Sequence, residues 1–508
     1  MKKPYKKIII NVNPWQTRIA ILNDLRLQNI YFEAHAKQTL ERSFFKGVVT
    51  KVLPGIQTAF IDIGQEKAGF LHISEIDREL MLQKMSKTVQ LDDDKPPTKK
   101  PTRSEPVNIK NILREKDSIL IQVNKEPIFD KGAKLTTCYT LPGRFIVLMP
   151  NIPRIGISKK ISDQEERARL KMIVRTQLPS GMGAIIRTTA EGKDASLLEK
   201  DISFLIETWN KINLDYEKAE PREKIYEDLE LSLQIIRDYL DEDIEHIITD
   251  DQTIQNTIYS FIQKIAPAHT HKVLFFKENT DIFLHYNIEQ QIEESLRKRV
   301  QLASGGYLII EFTEAMTVID VNTGRFIGKV NLEDTIFKTN FEAAEEIVRQ
   351  LCLLNIGGLI VIDFIDMATT QNKQALFNFF YKMLRTQDKL QSFALEVSEF
   401  GLVEMTRKRS GKTLVQELTS SCPQCSGTGF VPSATTVVYK LLRELKHILQ
   451  TIGKQKCSII LEVNIDIFNR LTTIEYNSIL YLQTLFGYSI NIIQKNSFTL
   501  EQYTITKK

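Results

Sequence analysis

The sequence predicts a multidomain protein of mixed α/β and α+β class. Three observations predict it. The chain has 508 residues, more than a single hydrophobic core organises. Residues 43–76 carry short alternating strands broken by Pro54-Gly55, Gly64 and Gly69, the pattern of a small β-barrel. Two strongly apolar strands, "MTVID" and "LIVID", flank a helical segment and each ends in aspartate. That is the pattern of a β-α-β unit in an open sheet.

Taken in order, residues 8–35 alternate apolar and polar ("IIINVN", "TRIAIL", "IYFEAH") and predict short strands. The barrel stretch follows. Residues 86–108 are polar and rich in Pro and Lys, a disordered loop inside a domain, because strand pattern resumes at "SILIQVNKE". "KLTTCYTLPGRFIVLMP" continues as strands. "DQEERARLKMIVRTQL" predicts a helix with Asp163 as N-cap and Pro179 beyond its end. "GMGAIIRTTA" reads as a strand and residues 194–247 as mostly helical. Gln290 to Val300 predicts an amphipathic helix, leading to a hairpin in "SGGYLIIEFTEAMTVIDVNTGRF". "NFEAAEEIVRQLCLLNIGG" is a helix ending at Gly357-Gly358, and "LIVIDFID" a buried strand. After Phe430 a helix, "VVYKLLRELKHIL", and further strands form a small closing domain.

Composition narrows the class. No run of about 20 apolar residues exists, so no transmembrane segment is expected. The N-terminal "MKKPYKKIIINVNPWQ" reaches polar residues too soon for a signal peptide. A net charge of +4 permits an anionic partner without demanding one. Five cysteines suit a reducing, cytoplasmic compartment. Cys138, Cys352 and Cys457 are scattered on predicted strands or a helix and should be buried and inert.

Asp320 and Asp363 carry the most chemistry. Each ends an apolar strand, and the helix between them makes those strands parallel neighbours. Ligands of open sheets bind at the carboxyl ends of strands, where both aspartates would emerge together. Asn322, two residues after Asp320, shares its face if the strand persists. Two carboxylates and an amide oxygen are hard ligands suited to Mg²⁺. The alternative is that each aspartate caps a turn. Asp366 is a further acid, but its odd spacing from Asp363 would put it on the other face of a continued strand.

Two motifs fail. "SGKT" at Ser410–Thr413 lacks the upstream glycine of a phosphate loop, since position 406 is Thr406. His269 and His271 have no carboxylates or cysteines in register and read as surface or cap histidines. "CPQCSGTG" is different. Cys422 and Cys425 have the spacing of half a zinc site, and a structural zinc takes four ligands. A two-fold dimer in which each chain donates the pair would complete it. A metal-free pair, or one completed by a histidine such as His447, is the alternative.

The ordered set "LPGIQTAFIDIG", "GFLHISEI", "GMGAIIRTTAEGKD", "TVIDVNTGRF", "GGLIVIDFIDM", "GLVEMTRKR" and "CPQCSGTG" resembles the ribonuclease E/G family, from about Ile8 to Phe430. The chain lacks a long disordered tail after its last domain, as in the shorter members. The resemblance implies an RNase H-like domain in two parts (1–39 and 231–290). Into it are inserted an OB-fold RNA-binding barrel (40–133) and a 5′-sensor region (134–230). A DNase-I-like catalytic domain (291–418), a zinc link (419–431) and a small C-terminal domain (432–508) would follow.

The activity implied is Mg²⁺-dependent endonucleolytic cleavage of single-stranded RNA, such as rRNA precursors and mRNA. It would leave 5′-phosphate and 3′-hydroxyl ends and prefer 5′-monophosphorylated substrates. The resemblance puts magnesium on Asp320 and Asp363 with Asn322 in support, and Zn²⁺ on Cys422 and Cys425 between chains of a homodimer or homotetramer. It puts 5′-phosphate sensing on Arg187, Thr188, Gly143 and Val147, and RNA contacts on Phe60, Phe70 and Lys131. From alternation alone, Phe60 and Phe70 would be read as barrel core. Arg407, Lys408 and Arg409 could neutralise phosphates. Lys159 stands where the family more often has arginine. The rival is a non-catalytic RNA-binding or ribosome-associated protein.

Overall fold

Ile8, Ile9 and Ile10 are all fully buried, because their strand is covered on both faces. It is the centre of a five-stranded sheet. Lys6–Asn13, Gln16–Asn23 and Arg26–Ala34 run antiparallel, and Ile244–Thr249 and Val273–Phe275 add on in parallel from far along the chain. The Ile8 and Ile10 side packs on Ile236, Ile258 and Ile262, whereas Ile9 packs with the core of a second sheet further along the chain. The computed structural model describes residues 5–36, 39–77, 108–127, 132–241, 243–324, 332–452 and 458–508. Most of the segment expected to form the 86–108 loop lies outside them, as do Lys131 and Cys457.

Between the two parts of that sheet a barrel closes. Phe44–Leu53, Thr58–Asp62, Gly69–His72, Lys134–Thr136 and Ser118–Lys125 follow one another, and the last pairs back on the first. Its interior is Val49, Ala59, Ile61, Leu71, Ile121 and Leu135. Gly47 is required where the first strand curls, since a Cβ there would stand 2.5 Å from an Ile61 methyl. The strand Lys134–Thr136 lies beyond the expected boundary at residue 133.

A four-stranded sheet follows, Ile155–Ile157, Gly183–Ile186, Ile146–Met149 and Leu141–Pro142 in spatial order. The helices Gln164–Gln177 and Ala195–Lys218 cover it. Asp163 caps the first by accepting from the Glu165 N–H. Residues 194–247 contain two helices, Ala195–Lys218 and Leu231–Tyr239, and also the strands Lys224–Tyr226 and Ile244–Thr249.

The second large sheet has six strands in the order Arg299–Gln301, Tyr307–Phe312, Met316–Asn322, Gly358–Asp363, Leu402–Arg407 and Ser392–Ala394. Helix Leu332–Leu353 crosses between its two parallel strands. The helix expected over 290–300 spans only Ile288–Ser295, and Arg299–Gln301 is an edge strand. Pairing with Tyr307–Phe312 there overrides the helical pattern.

Residues Met1–Val415 form one compact unit and Gln416–Lys508 a second. In the second, helix Ala434–Ile452 buries Val437, Val438, Leu441, Leu445 and Leu449. It packs with a three-stranded sheet of Ser489–Gln494, Ser458–Val463 and Tyr503–Lys507. Among the described residues no helix is long and apolar enough to cross a membrane.

Candidate active site

In Met316–Asn322, Thr317, Ile319 and Val321 are buried, while Asp320 and Asn322 alternate outward. In Gly358–Asp363, Ile360 and Ile362 are buried and Asp363 is exposed. The strands are parallel and in register, with Asp320 directly opposite Asp363. Both carboxylates therefore stand on one rung and one face of the sheet. Asn322 Nδ2 donates to Asp320 Oδ2 at 2.8 Å. That bond leaves the amide oxygen of Asn322 able to serve a cation.

Asp363 is raised above the ordinary aspartate value, first by partial burial and then by the negative charges of Asp320 and Asp366. Repulsion between adjacent carboxylates is relieved by a shared cation. Two carboxylates and an amide oxygen thus fit a hard divalent ion.

Sequence parity had set Asp366 apart, and the structure corrects that. The strand ends at Asp363, so alternation no longer applies. The turn beyond it is pinned by the fully buried Asn340, which donates to the Ile365 carbonyl (2.8 Å) and accepts from the Ile365 N–H (3.1 Å). Asp366 packs over Gly401, whose φ is +80° and where a Cβ would stand 2.8 Å from Asp366 Oδ1. Asn340 carried no sequence signal, because a polar residue within a helix reads as surface.

Arg407 is the second correction. It is 4 % exposed and forms two 2.9 Å bonds with the carboxylate of Asp388, with Nη1 donating to the Ile356 carbonyl. It holds the strand next to Gly358–Asp363 and is not available to phosphate. Lys408 and Arg409 are exposed. Cys352, behind this pair, is buried as expected, and burial followed by the Asp388 charge pushes its thiol up to about 12. Cys138 is only half-buried, in a bend after the Lys134–Thr136 strand.

In the four-stranded region, Arg187 Nη1 donates to the Gly143 carbonyl and to Asp238 Oδ1, both at 2.7 Å. Burial raises Asp238, but Arg237 and Arg187 outweigh it and hold the carboxyl below its usual value. Thr188 is exposed and opens the 3₁₀ turn Thr188–Ala190. Gly143 is buried, and a Cβ there would come 2.6 Å from Asp201 Oδ2. Asp201, which the sequence did not single out, accepts the N–H groups of Arg144, Phe145 and Ile146 and shapes this turn. Val147 is half-buried, opposite Ile185. Arg187 and Gly143 therefore touch, with Thr188 beside them and Val147 two rungs along.

On the barrel, Phe60 lies directly opposite Phe70. Both are half-buried on the outer face, while Ala59, Ile61 and Leu71 fill the interior. The core reading from alternation is thus corrected, because parity picks two faces without saying which is inside. Lys131 falls outside the described residues.

Cys422 is exposed and Cys425 half-buried, and they form no disulfide. Ser426, Gly427 and Gly429 all adopt positive φ, which turns the chain around the sulfurs. Backbone N–H groups of Gly429 and then Gly427 hold the Cys425 thiol below the ordinary cysteine value. The pair fits a thiophilic metal such as zinc. Among the described residues no group of three or more His, Cys, Asp or Glu is placed to hold a metal, so this turn supplies half a ligand set. His269 and His271 lie in the 3₁₀ segment Pro267–Lys272 and join no such group.

Residues 140–410 match the Ribonuclease E/G family, and residues 421–508 match the RNase E/G thioredoxin-like domain. The second match covers the closing domain, for which the sequence had offered no motif. The chain is 39% identical over 450 residues to Ribonuclease G of Haemophilus influenzae, covering 89% of each protein. It is 36% identical over 444 residues to Ribonuclease G of Escherichia coli, covering 87% of this chain and 88% of that one. Ribonuclease E of Escherichia coli is 35% identical over 445 residues, which is 87% of this chain and 40% of the longer protein. Matches of this extent make the chain an endoribonuclease. It belongs to the ribonuclease E/G family, which removes the ground for the non-catalytic rival.

Proposed function

We propose that the protein is a Mg²⁺-dependent endoribonuclease that cuts single-stranded RNA at the Asp320–Asp363 rung, leaving 5′-phosphate and 3′-hydroxyl ends. The observation that carries this is the parallel register of the two aspartates, with Asn322 bonded to Asp320 on the same face. A bound magnesium ion supplies an activated water and positive charge next to the scissile phosphate. Asp320 and Asp363 hold it, and Asn322 orients Asp320. Arg407 and Asp388 fix the neighbouring strand, and the Asn340 clamp fixes the turn that follows Asp363.

Phe60 and Phe70, with Lys131, grip unpaired bases and backbone as the RNA-binding face of an OB-fold. Arg187, aided by Thr188, Gly143 and Val147, recognises a 5′-monophosphate, so such substrates are preferred. The five-stranded mixed sheet serves as the RNase H-like domain and the six-stranded sheet as the DNase-I-like one. Cys422 and Cys425 share one Zn²⁺ with the same pair of a second chain, giving a homodimer and, by pairing of dimers, a homotetramer. The substrates are rRNA precursors and mRNA in the cytoplasm.

The test is purified protein with an unstructured RNA carrying a 5′-monophosphate or a 5′-hydroxyl, with and without Mg²⁺. The expected result is Mg²⁺-dependent internal cuts, faster on the monophosphate, whose downstream products are ligatable through their 5′-phosphates. Cleavage undiminished in excess chelator, or products ending in 5′-hydroxyl groups, would overturn the proposal.

A further inference from the structure

The rung that pairs Asp320 with Asp363 extends across the sheet to its edge. Ile309 lies opposite Asp320, and Arg299 opposite Ile309. Two rungs along, Asn322 lies opposite Tyr307, and Tyr307 opposite Gln301. Directly opposed residues share a face. The other face is closed, since Leu308, Ile310, Ile319 and Val321 are buried in the core. Arg299, Tyr307, Asp320, Asn322 and Asp363 therefore stand together on the open face.

Arg299 and Tyr307 are diagonal neighbours there, with the guanidinium carbon 3.7 Å from the ring centroid. Arg299 is exposed and Tyr307 half-buried. Outside the sheet ladder, neither side chain has a hydrogen-bond or carboxylate partner among the described residues. The neighbouring Lys298, by contrast, is paired with Glu311 at 3.3 Å, and Arg407 is saturated by Asp388. A stacked guanidinium is already restrained, so it loses little rotamer freedom when it takes up an oxyanion, and its N–H edge stays free.

We propose that Arg299 and Tyr307 form a subsite for the RNA strand beside the carboxylate pair, the guanidinium binding a backbone phosphate and the tyrosine ring stacking on a base. This rests on the reading of Asp320 and Asp363 as the reaction centre. Arg299 is two strands from Asp320, roughly 10 Å at the usual strand spacing. It therefore takes a phosphate near the scissile one and not the scissile phosphate itself. Bases stack on aromatic rings whatever their identity, so the subsite adds affinity and alignment without strong sequence preference.

The test uses full-length protein and a 5′-hydroxyl single-stranded oligoribonucleotide, which keeps 5′-end recognition silent. Kd is measured by fluorescence anisotropy at several salt concentrations, and KM and kcat in Mg²⁺. Arg299→Ala should raise Kd and KM about tenfold, with kcat changed less than about twofold. Its log Kd should depend less on log salt by about 0.7, the loss of one phosphate contact on a single strand. Arg299→Gln keeps the stem and should give the same salt slope as Arg299→Ala, with an unchanged thermal midpoint. Tyr307→Ala should raise Kd about fivefold or more at unchanged slope, and Tyr307→Phe should restore it.

An Arg299→Ala protein with wild-type Kd and slope would overturn the subsite. Kd and slope decide the subsite on their own. Whether Asp320→Asn still cleaves decides the reading beneath it, so the two failures are distinguishable.

Discussion

The carboxylate rung and the cysteine turn would both hold metals, and they are built in opposite ways. The rung is assembled by register: two apolar strands and one crossover helix bring residues 43 positions apart in sequence to directly opposite places. Its supports, Asn322, Asn340 and the Arg407–Asp388 pair, all come from the same chain. The cysteine turn is local. The short stretch Cys422–Gly429, with its left-handed backbones and the N–H groups of Gly427 and Gly429, makes it, and it ends with two ligands. A register-built site can be complete within one chain, whereas a local turn offers two sulfurs and depends on something else for the rest.

The two sites should therefore break differently. The largest effect is expected for Asp320→Asn and Asp363→Asn. Either should slow cleavage by about 10³-fold or more, as removal of a main electrostatic element of a reaction centre does, while RNA affinity by anisotropy stays within about twofold. Next is Asp388→Ala, which leaves Arg407 buried and unpaired. Denaturant unfolding should show a loss of about 3–5 kcal/mol, with activity falling only as the fold does.

Smaller and of another kind is the effect of Cys422→Ser with Cys425→Ser. Zinc content should drop from one per two chains to none and the dimer should dissociate at micromolar concentration in sedimentation, while Asp320→Asn leaves both unchanged. Retention of the dimer by the double cysteine variant would end the shared-metal account. The smallest is Arg187→Ala. It should cost about 1.5–3 kcal/mol in kcat/KM, the worth of a charged hydrogen bond, on 5′-monophosphate RNA only. An equal loss on 5′-hydroxyl RNA would assign Arg187 a purely structural role through Gly143 and Asp238.

Much of the rung was legible in the sequence. Apolar strands ending in aspartate on either side of a helix admit few arrangements, and parallel register follows from the crossover. The place of Asp366 was not legible, because alternation holds only while the strand lasts and the strand stops at Asp363. Nor was the fate of Arg407. In "MTRKR" three cations look alike, and only burial against Asp388 separates the first from its neighbours. Phe60 and Phe70 show the same limit, since a period of two sorts residues into faces but leaves open which face a barrel turns inward. Asn340 and Asp201 depend on contacts between segments distant in sequence, which no local pattern records, and the Arg299–Tyr307 stack depends on a hairpin register that a helical pattern over 290–300 concealed. The closing domain after Phe430 carried helix and strand periodicity but no chemical motif.

Metal stoichiometry tests the central claim most directly. Wild type, Asp363→Asn and the double cysteine variant would be titrated with Mn²⁺ as a paramagnetic stand-in for Mg²⁺, with bound ion counted by electron paramagnetic resonance and zinc by elemental analysis. A rung complete within one chain predicts one exchangeable Mn²⁺ per chain in wild type and in the double cysteine variant, lost in Asp363→Asn, whose zinc stays at one per two chains. An Asp363→Asn protein that binds Mn²⁺ as wild type does, or a cysteine variant that loses it, would contradict the account.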